Sequence, residues 1–179
     1  MKTLTLLRHA KSGWDDPVAR DFDRPLNARG RRAATVMGRH VRDLGLGFDQ
    51  VIASPAVRVT ETVAEVERGL ARALSPVWDR RLYLASAATL LDVVHECDAA
   101  AGSLLLIGHN PGLEELAMLL VPDSAGGLRD AVEEKYPTAT LAEIAFDIDD
   151  WQAVAPGVGR LTRFVRPRDI DPTLGPERE

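Results

Sequence analysis

The chain has 179 residues, of which 45% are apolar and 27% charged, with a formal net charge of -5. This length suits one domain with a full core, and the composition excludes a chain that is disordered throughout. The acidic balance argues against sequence-independent nucleic-acid binding, which needs a basic face. Cys97 is the single cysteine, so no intrachain disulfide forms, and its place reads as a small apolar filler on a helix. The opening MKTLTLLRHA is too short and too interrupted for a signal segment, and no later run could cross a bilayer. The default expectation is a cytoplasmic protein without a membrane partner.

Leu4 to Leu7 is a short apolar run of strand length that stops abruptly at Arg8-His9, followed by Lys11-Ser12-Gly13. Residues 15–27 are polar and proline-punctuated, hence a loop. Asn27 is placed to cap a helix over 28–44, where Ala33, Val36, Met37, His40, Val41 and Leu44 recur at helical spacing before Gly45 and Gly47. Val51-Ile52-Ala53 reads as a second buried strand ending at Ser54-Pro55, with a helix from about Val57 towards Arg72. Residues 79–84 suggest a short strand, and 87–101 a helix. Ser103 to Gly108 is the clearest buried strand. It stops at His109-Asn110-Pro111-Gly112, and a helix follows through Leu113 to Leu120. Residues 122–136 read as a loop with a short helix, and 139–146 and 159–166 as two further strands paired at the sheet edge.

Strand and helix alternate, which predicts an α/β fold: a three-layer α/β/α sandwich with a mainly parallel sheet and one antiparallel edge strand. The domain is expected to span residues 1–168. The charged, proline-rich stretch 169–179 is expected to be a flexible C-terminal tail.

Three apolar strands end in Arg8-His9, in Ser54-Pro55 with Arg58 one turn on, and in Gly108-His109-Asn110. A doubly wound sheet delivers the carboxyl ends of neighbouring parallel strands to one crevice, so Arg8, Arg58, His9 and His109 should converge. Such a cluster calls for an anion. Guanidinium groups suit phosphate by bidentate hydrogen bonding, and helices starting near Pro55 and Pro111 would aim N–H groups at the same place. A neutral histidine nitrogen aimed at phosphorus is a competent phosphoryl acceptor, with the other ring nitrogen held by a backbone carbonyl. Which nitrogen attacks stays open at this stage.

The string Leu7-Arg8-His9-Ala10-Lys11-Ser12 resembles the signature of the histidine phosphatase superfamily (phosphoglycerate-mutase-like). Read on through Trp14, Asp23-Arg24-Pro25-Leu26-Asn27, Arg29-Gly30, Ser54-Pro55, Arg58, Thr62, Leu82-Tyr83 and Gly108-His109-Asn110-Pro111-Gly112, the chain is similar to the SixA-like branch, which contains protein phosphohistidine phosphatases. The likeness runs over residues 3–120 with the motifs in order. It implies His9 as the phosphorylated nucleophile, Arg8 and Arg58 as phosphate clamps, and His109 as the second pocket histidine. Lys11, Ser12 and Asn110 are implied in substrate binding. No metal or organic cofactor is implied.

The chain departs from the family at the position of a glutamate that many members use to protonate the leaving oxygen. Here the matching stretch is Leu82-Tyr83-Leu84-Ala85-Ser86, without a carboxylate. A phosphohistidine releases a nitrogen that can already carry a proton, so the departure favours P–N over P–O substrates. Asp15, Asp16, Asp21 or Asp23 could still supply a proton. The expectation is therefore a metal-independent phosphatase acting through a phosphohistidine intermediate, on a phosphorylated protein or a small phosphorylated substrate. A small-molecule phosphomonoesterase and a non-catalytic phosphate-binding module are the alternatives. His40 and His95 read as helix-surface or packing residues, and Glu114-Glu115 as a complement to the dipole of the helix that follows His109. No zinc spacing, nucleotide-binding glycine loop or serine-hydrolase elbow occurs.

Overall fold

The computed structural model describes residues 1–13, 20–123 and 126–176. Trp14, Asp15 and Asp16, which figure in the sequence reading, lie outside these residues. A six-stranded sheet has the order β3-β2-β4-β1-β5-β6. The strands are β1 (Lys2–Arg8), β2 (Gln50–Ala53), β3 (Val77–Trp78), β4 (Ser103–Gly108), β5 (Leu141–Phe146) and β6 (Arg160–Val165). The helices are α1 (Ala28–Asp43), α2 (Val57–Leu70), α3 (Ala87–His95), α4 (Gly112–Leu120), α5 (Gly127–Glu134) and the short α6 (Pro167–Ile170).

Alternate residues of the central strands face opposite layers, as the pleat requires. Leu4, Leu6, Leu104 and Leu106 pack with α3 and α4 residues such as Leu90, Val94, Leu113 and Leu116. Leu7, Leu105, Ile107, Val51 and Ala53 pack instead with Ala34, Met37 and Val41 of α1 and Val59, Val63 and Val66 of α2. Being buried on both faces is why these strands read as unbroken apolar runs. The two helices α1 and α2 meet backbone to backbone through Gly38 and Gly69. A Cβ on Gly69 would stand 2.1 Å from the Thr35 carbonyl oxygen, and one on Gly38 would stand 2.2 Å from that of Val66.

The three-layer α/β/α arrangement is as expected, with refinements. The reversed strand is β5, antiparallel to β1 and to β6, and it lies one place in from the edge. β6 returns in the direction of β1 and takes the edge. The short strand expected over 79–84 is instead β3 at Val77–Trp78, because the Asp79 side chain accepts from the Arg81 amide and starts a 3-10 turn over Arg80–Leu82. Helix α3 stops at His95, six residues early, where the Gln50 side-chain oxygen accepts from the Cys97 thiol and the Asp98 amide. The stretch expected as a tail from 169 carries α6 and a 3-10 turn over Pro172–Leu174. Ile170 and Leu174 pack on the α1/α2 layer, Arg32 donates to Thr173 Oγ1 at 3.2 Å, and Arg29 donates to the Gly175 carbonyl.

Candidate active site

Strands β2, β4 and β1 are adjacent and parallel, with Arg8 level with Gly108 and Ala53 level with Ile107. Their carboxyl ends therefore present Ser54, His109 and His9 side by side. The backbone at this edge is fixed. His9 N–H donates to the Gly108 carbonyl at 3.0 Å, and Ala139 N–H donates to the carbonyls of Arg8 and His9 at 3.1 and 3.0 Å. Thr62 ties α2 to the same turn. Its hydroxyl donates to the Arg58 carbonyl at 2.6 Å and accepts from Ala10 N–H at 2.9 Å. Asn27 caps α1 by accepting from Gly30 N–H at 2.8 Å, while its own N–H donates to the Lys11 carbonyl at 3.0 Å, so one residue starts the helix and holds the loop after His9.

His9 and His109 are 7% and 3% exposed, with ring centroids 5.2 Å apart. His9 Nδ1 lies 2.7 Å from the Ala10 carbonyl oxygen. A carbonyl only accepts, so Nδ1 carries the proton and Nε2 keeps a free lone pair. His109 Nε2 lies 2.8 Å from Ser54 Oγ, and its Nδ1 is buried without a hydrogen-bond partner among the described residues. Tyr83 meets the His109 ring edge-on at 5.4 Å.

Burial, reinforced by the neighbouring arginines, lowers His9 from its ordinary 6.5 to about 4. Burial, then the neighbouring His9 and Arg58, lowers His109 to about 3. Both rings are therefore neutral at pH 7, and His9 is a nucleophile ready without deprotonation. Between pH 6.5 and about 4 the unfolded chain binds protons at these two positions that the folded chain does not. Stability therefore falls as pH drops through that window. An NMR titration of the imidazole protons is expected to keep both rings neutral down to pH 5, and a His9 midpoint at or above 6.5 would contradict this.

Arg58 is 3% exposed. Its Nη1 donates to the Asp21 carbonyl at 2.7 Å and its Nη2 to Asp21 Oδ2 at 3.1 Å, while Nε has no partner among the described residues. Burial alone would raise the Asp21 carboxyl. Hydrogen bonds from Tyr83 and Arg24 and the charge of Arg58 outweigh it and bring the group down to about 2. Arg8 Nη1 donates to the Tyr136 carbonyl at 2.9 Å, and its Nε is buried without a partner among the described residues. The arginines thus surround two neutral imidazoles, with the Asp21 carboxylate as an anion on Arg58 and Glu114 acting on Arg8. Such a site can exchange the Asp21 carboxylate for a phosphate oxygen.

The four residues implied as pocket residues are thus brought together. The remaining three lie in the surrounding shell of bonds and at its edge. Ser12 Oγ accepts from Arg24 Nη1 at 2.7 Å. Asn110 is engaged by backbone at both ends of its amide, donating to the Tyr136 carbonyl at 3.0 Å and accepting from Glu114 N–H at 3.3 Å. Lys11 is exposed beside a neighbouring cavity. Of the candidate proton donors, Asp21 stands in the site and Asp23 pairs with Arg20 at 3.1 Å.

Sequence reasoning missed Tyr136. Its carbonyl collects both Arg8 and Asn110, and its hydroxyl donates to the Leu6 carbonyl at 2.6 Å. A lone aromatic closing a polar loop was the available signal. The Tyr83 hydroxyl, 2.5 Å from Asp21 Oδ2, joins residues too far apart in sequence for any local pattern to show.

A family model described as histidine phosphatase superfamily (branch 1) matches residues 4–83. An uncharacterised protein of Mycobacterium tuberculosis, Rv1276c, is 32% identical over 90% of this chain and 100% of its own length. A solved structure from Agrobacterium tumefaciens, provisionally named phosphohistidine phosphatase SixA, is 28% identical with a TM-score of 0.78, covering 93% of this chain and 98% of that one. Another with the same provisional name, from Nakamurella multipartitia, is 28% identical with a TM-score of 0.80, covering 93% and 96%. Among the described residues no group of histidine, cysteine and carboxylate side chains could hold a metal ion, and no helix is long and apolar enough to cross a membrane. With two neutral histidines and two arginines at the parallel strand ends, and with these relatives, the chain belongs to the histidine phosphatase superfamily, branch 1, as a SixA-like phosphatase.

Proposed function

We propose that this phosphatase removes phosphoryl groups from phosphohistidine on proteins, with His9 as the transient carrier. The observation that carries the reading is the pairing of a free His9 Nε2 with a carboxylate in the site, Asp21, that is held ionised at about 2. An ionised carboxylate donates no proton, so an alkoxide leaving group would depart unassisted. A protonated phosphohistidine releases neutral imidazole and needs no acid. The provisional names of the Agrobacterium and Nakamurella structures agree with this substrate class.

In the first step His9 Nε2 attacks phosphorus, the substrate's P–N bond breaks, and its imidazole leaves with the proton already on the other nitrogen. The Nδ1–H bond to the Ala10 carbonyl steadies the positive charge that His9 gains. Arg8 and Arg58 take the equatorial oxygens, Asp21 having yielded Arg58. His109 donates from Nδ1 when Ser54 donates its hydroxyl proton to Nε2, which turns the unpartnered nitrogen into a phosphate ligand. In the second step water attacks the same phosphorus, the His9 P–N bond breaks, and the proton from water leaves with phosphate.

The test is orthophosphate release, in the presence of a chelator, from a phosphohistidine peptide and from an alkyl phosphate ester, a phosphoserine peptide. A positioned general acid is worth about 10²–10⁴-fold, so kcat/KM for the phosphohistidine should exceed that for the ester by about a hundredfold. Equal or better turnover of the ester would move the assignment to phosphomonoesters.

A further inference from the structure

A cavity of about 270 Å³ has Arg8 in its wall and neither of the two histidines. Its wall carries Arg8, Lys11, Arg29, Lys135, Arg166 and Arg168, and no carboxylate residue. In a chain of net charge -5 this is a local reversal of sign. It is assembled from four stretches of chain: the end of β1, the start of α1, the segment after α5, and α6 with the turn beyond it. Three of these cations are engaged, Arg166 with Asp169 at 2.9 Å, Arg8 with the Tyr136 carbonyl at 2.9 Å and Arg29 with the Gly175 carbonyl. Among the described residues Lys11, Lys135 and Arg168 form no ion pair. The returning C-terminal stretch, held on α1 by Ile170 and Leu174, walls the cavity.

Arg8 belongs to both places. Its charge acts on His9 and His109, and the residue also lines this cavity. Asp169 offsets part of the charge at Arg166 and Arg168, and the cations left over in a concave site focus potential and attract anions. Here the attraction is directed next to the phosphoryl position and not over it.

We propose that this cavity is a second anion subsite, taking a carboxylate or phosphate carried by the same substrate close to its phosphoryl group. The inference rests on the phosphoryl group sitting at His9. It makes the preferred substrate a phosphohistidine flanked by acidic side chains, the same chemistry being available from a small phosphate that bears a second acid group.

The first measurement is calorimetric binding of 3-phosphonopropionate and of ethylphosphonate, which differ by one carboxylate and cannot turn over. The native chain should bind the first roughly threefold to tenfold more tightly at low salt, as one or two partly exposed charge pairs would give. The ratio should shrink in 0.5 M salt, which screens such pairs. In the double variant Lys135→Glu, Arg168→Glu, both at accessible positions, the ratio should fall to one or below. A native ratio of one, no binding of either compound, or a ratio unaltered in the double variant would overturn the subsite. Turnover of phosphohistidine peptides flanked by Glu or by Gln then separates the sources. A Glu preference lost in the double variant assigns the second anion to a protein substrate, and a phosphonate ratio without it assigns a small molecule. If no phosphohistidine peptide is turned over while the phosphonate ratio holds, the proposed function fails and the subsite stands.

Discussion

His9→Ala is expected to lower kcat by roughly 10⁴-fold or more, as removal of a nucleophile does elsewhere. The side chain offers Nε2 because Nδ1 is pinned on the Ala10 carbonyl at 2.7 Å, and burial with nearby arginines keeps the ring neutral. No other described group can substitute. His109 turns Nε2 to Ser54, and its ring centroid is 5.2 Å from that of His9. The loss should be chemical and not structural, since the backbone of His9 keeps its bonds to Gly108 and Ala139 whatever the side chain. Native chain quenched in mid-reaction should carry an acid-labile phosphoryl group that the variant lacks. Residual turnover above about a hundredth of native, or a labelled variant, would remove His9 from the role of carrier.

The central sheet and its active edge were legible in the sequence for a definite reason. Strands buried on both faces must be unbroken apolar runs, and a run that stops at a charged pair marks the carboxyl edge. Leu4 to Leu7 before Arg8-His9, and Leu104 to Ile107 before His109, carry that signal directly. The Asn27 cap was equally readable, because a capping side chain acts on residues next to it. What stayed hidden depends on distant partners. Asp21 is one of several aspartates in a polar loop until Arg24, Arg58 and Tyr83 close around it. Ile170 and Leu174 are apolar residues in a proline-rich, charged string, and only the exposed flank of α1 gives them something to cover. The basic cavity is scattered over the chain in the same way, its cations meeting only because the last residues return to α1. Even the edge of the sheet follows this division. Pairing of β5 with β6 is local and was expected, whereas the placing of β5 between β1 and β6 rests on its pairing with β1, far away in sequence.

Arg58→Ala carries the second large effect, an expected fall in kcat/KM of about 10²–10³-fold, the scale for losing one preorganised charged donor in a phosphoryl-transfer site. Arg58 is 3% exposed on the first turn of α2, and its position is set by its own carbonyl, which accepts from Thr62 Oγ1, and by the Ala10 amide on that same hydroxyl. Both of its terminal nitrogens engage Asp21, so the guanidinium presents a ready-made fork that fits two phosphate oxygens as well as it fits a carboxylate and a carbonyl. Truncation removes that fork and strands Asp21, which would then rely on Arg24 and Tyr83 and whose carboxyl should rise from about 2. Arg58→Lys restores the charge but not the two-pronged geometry, so it should recover only part of the loss. The comparison of Ala and Lys variants separates charge from geometry, and circular dichroism with thermal melts controls for the Asp21 turn that Arg58 also holds. Recovery to native kcat/KM by lysine would mean that the site needs only a positive charge here. Native activity in the alanine variant would place the phosphate on the other side of the His9 ring, towards Arg8 alone.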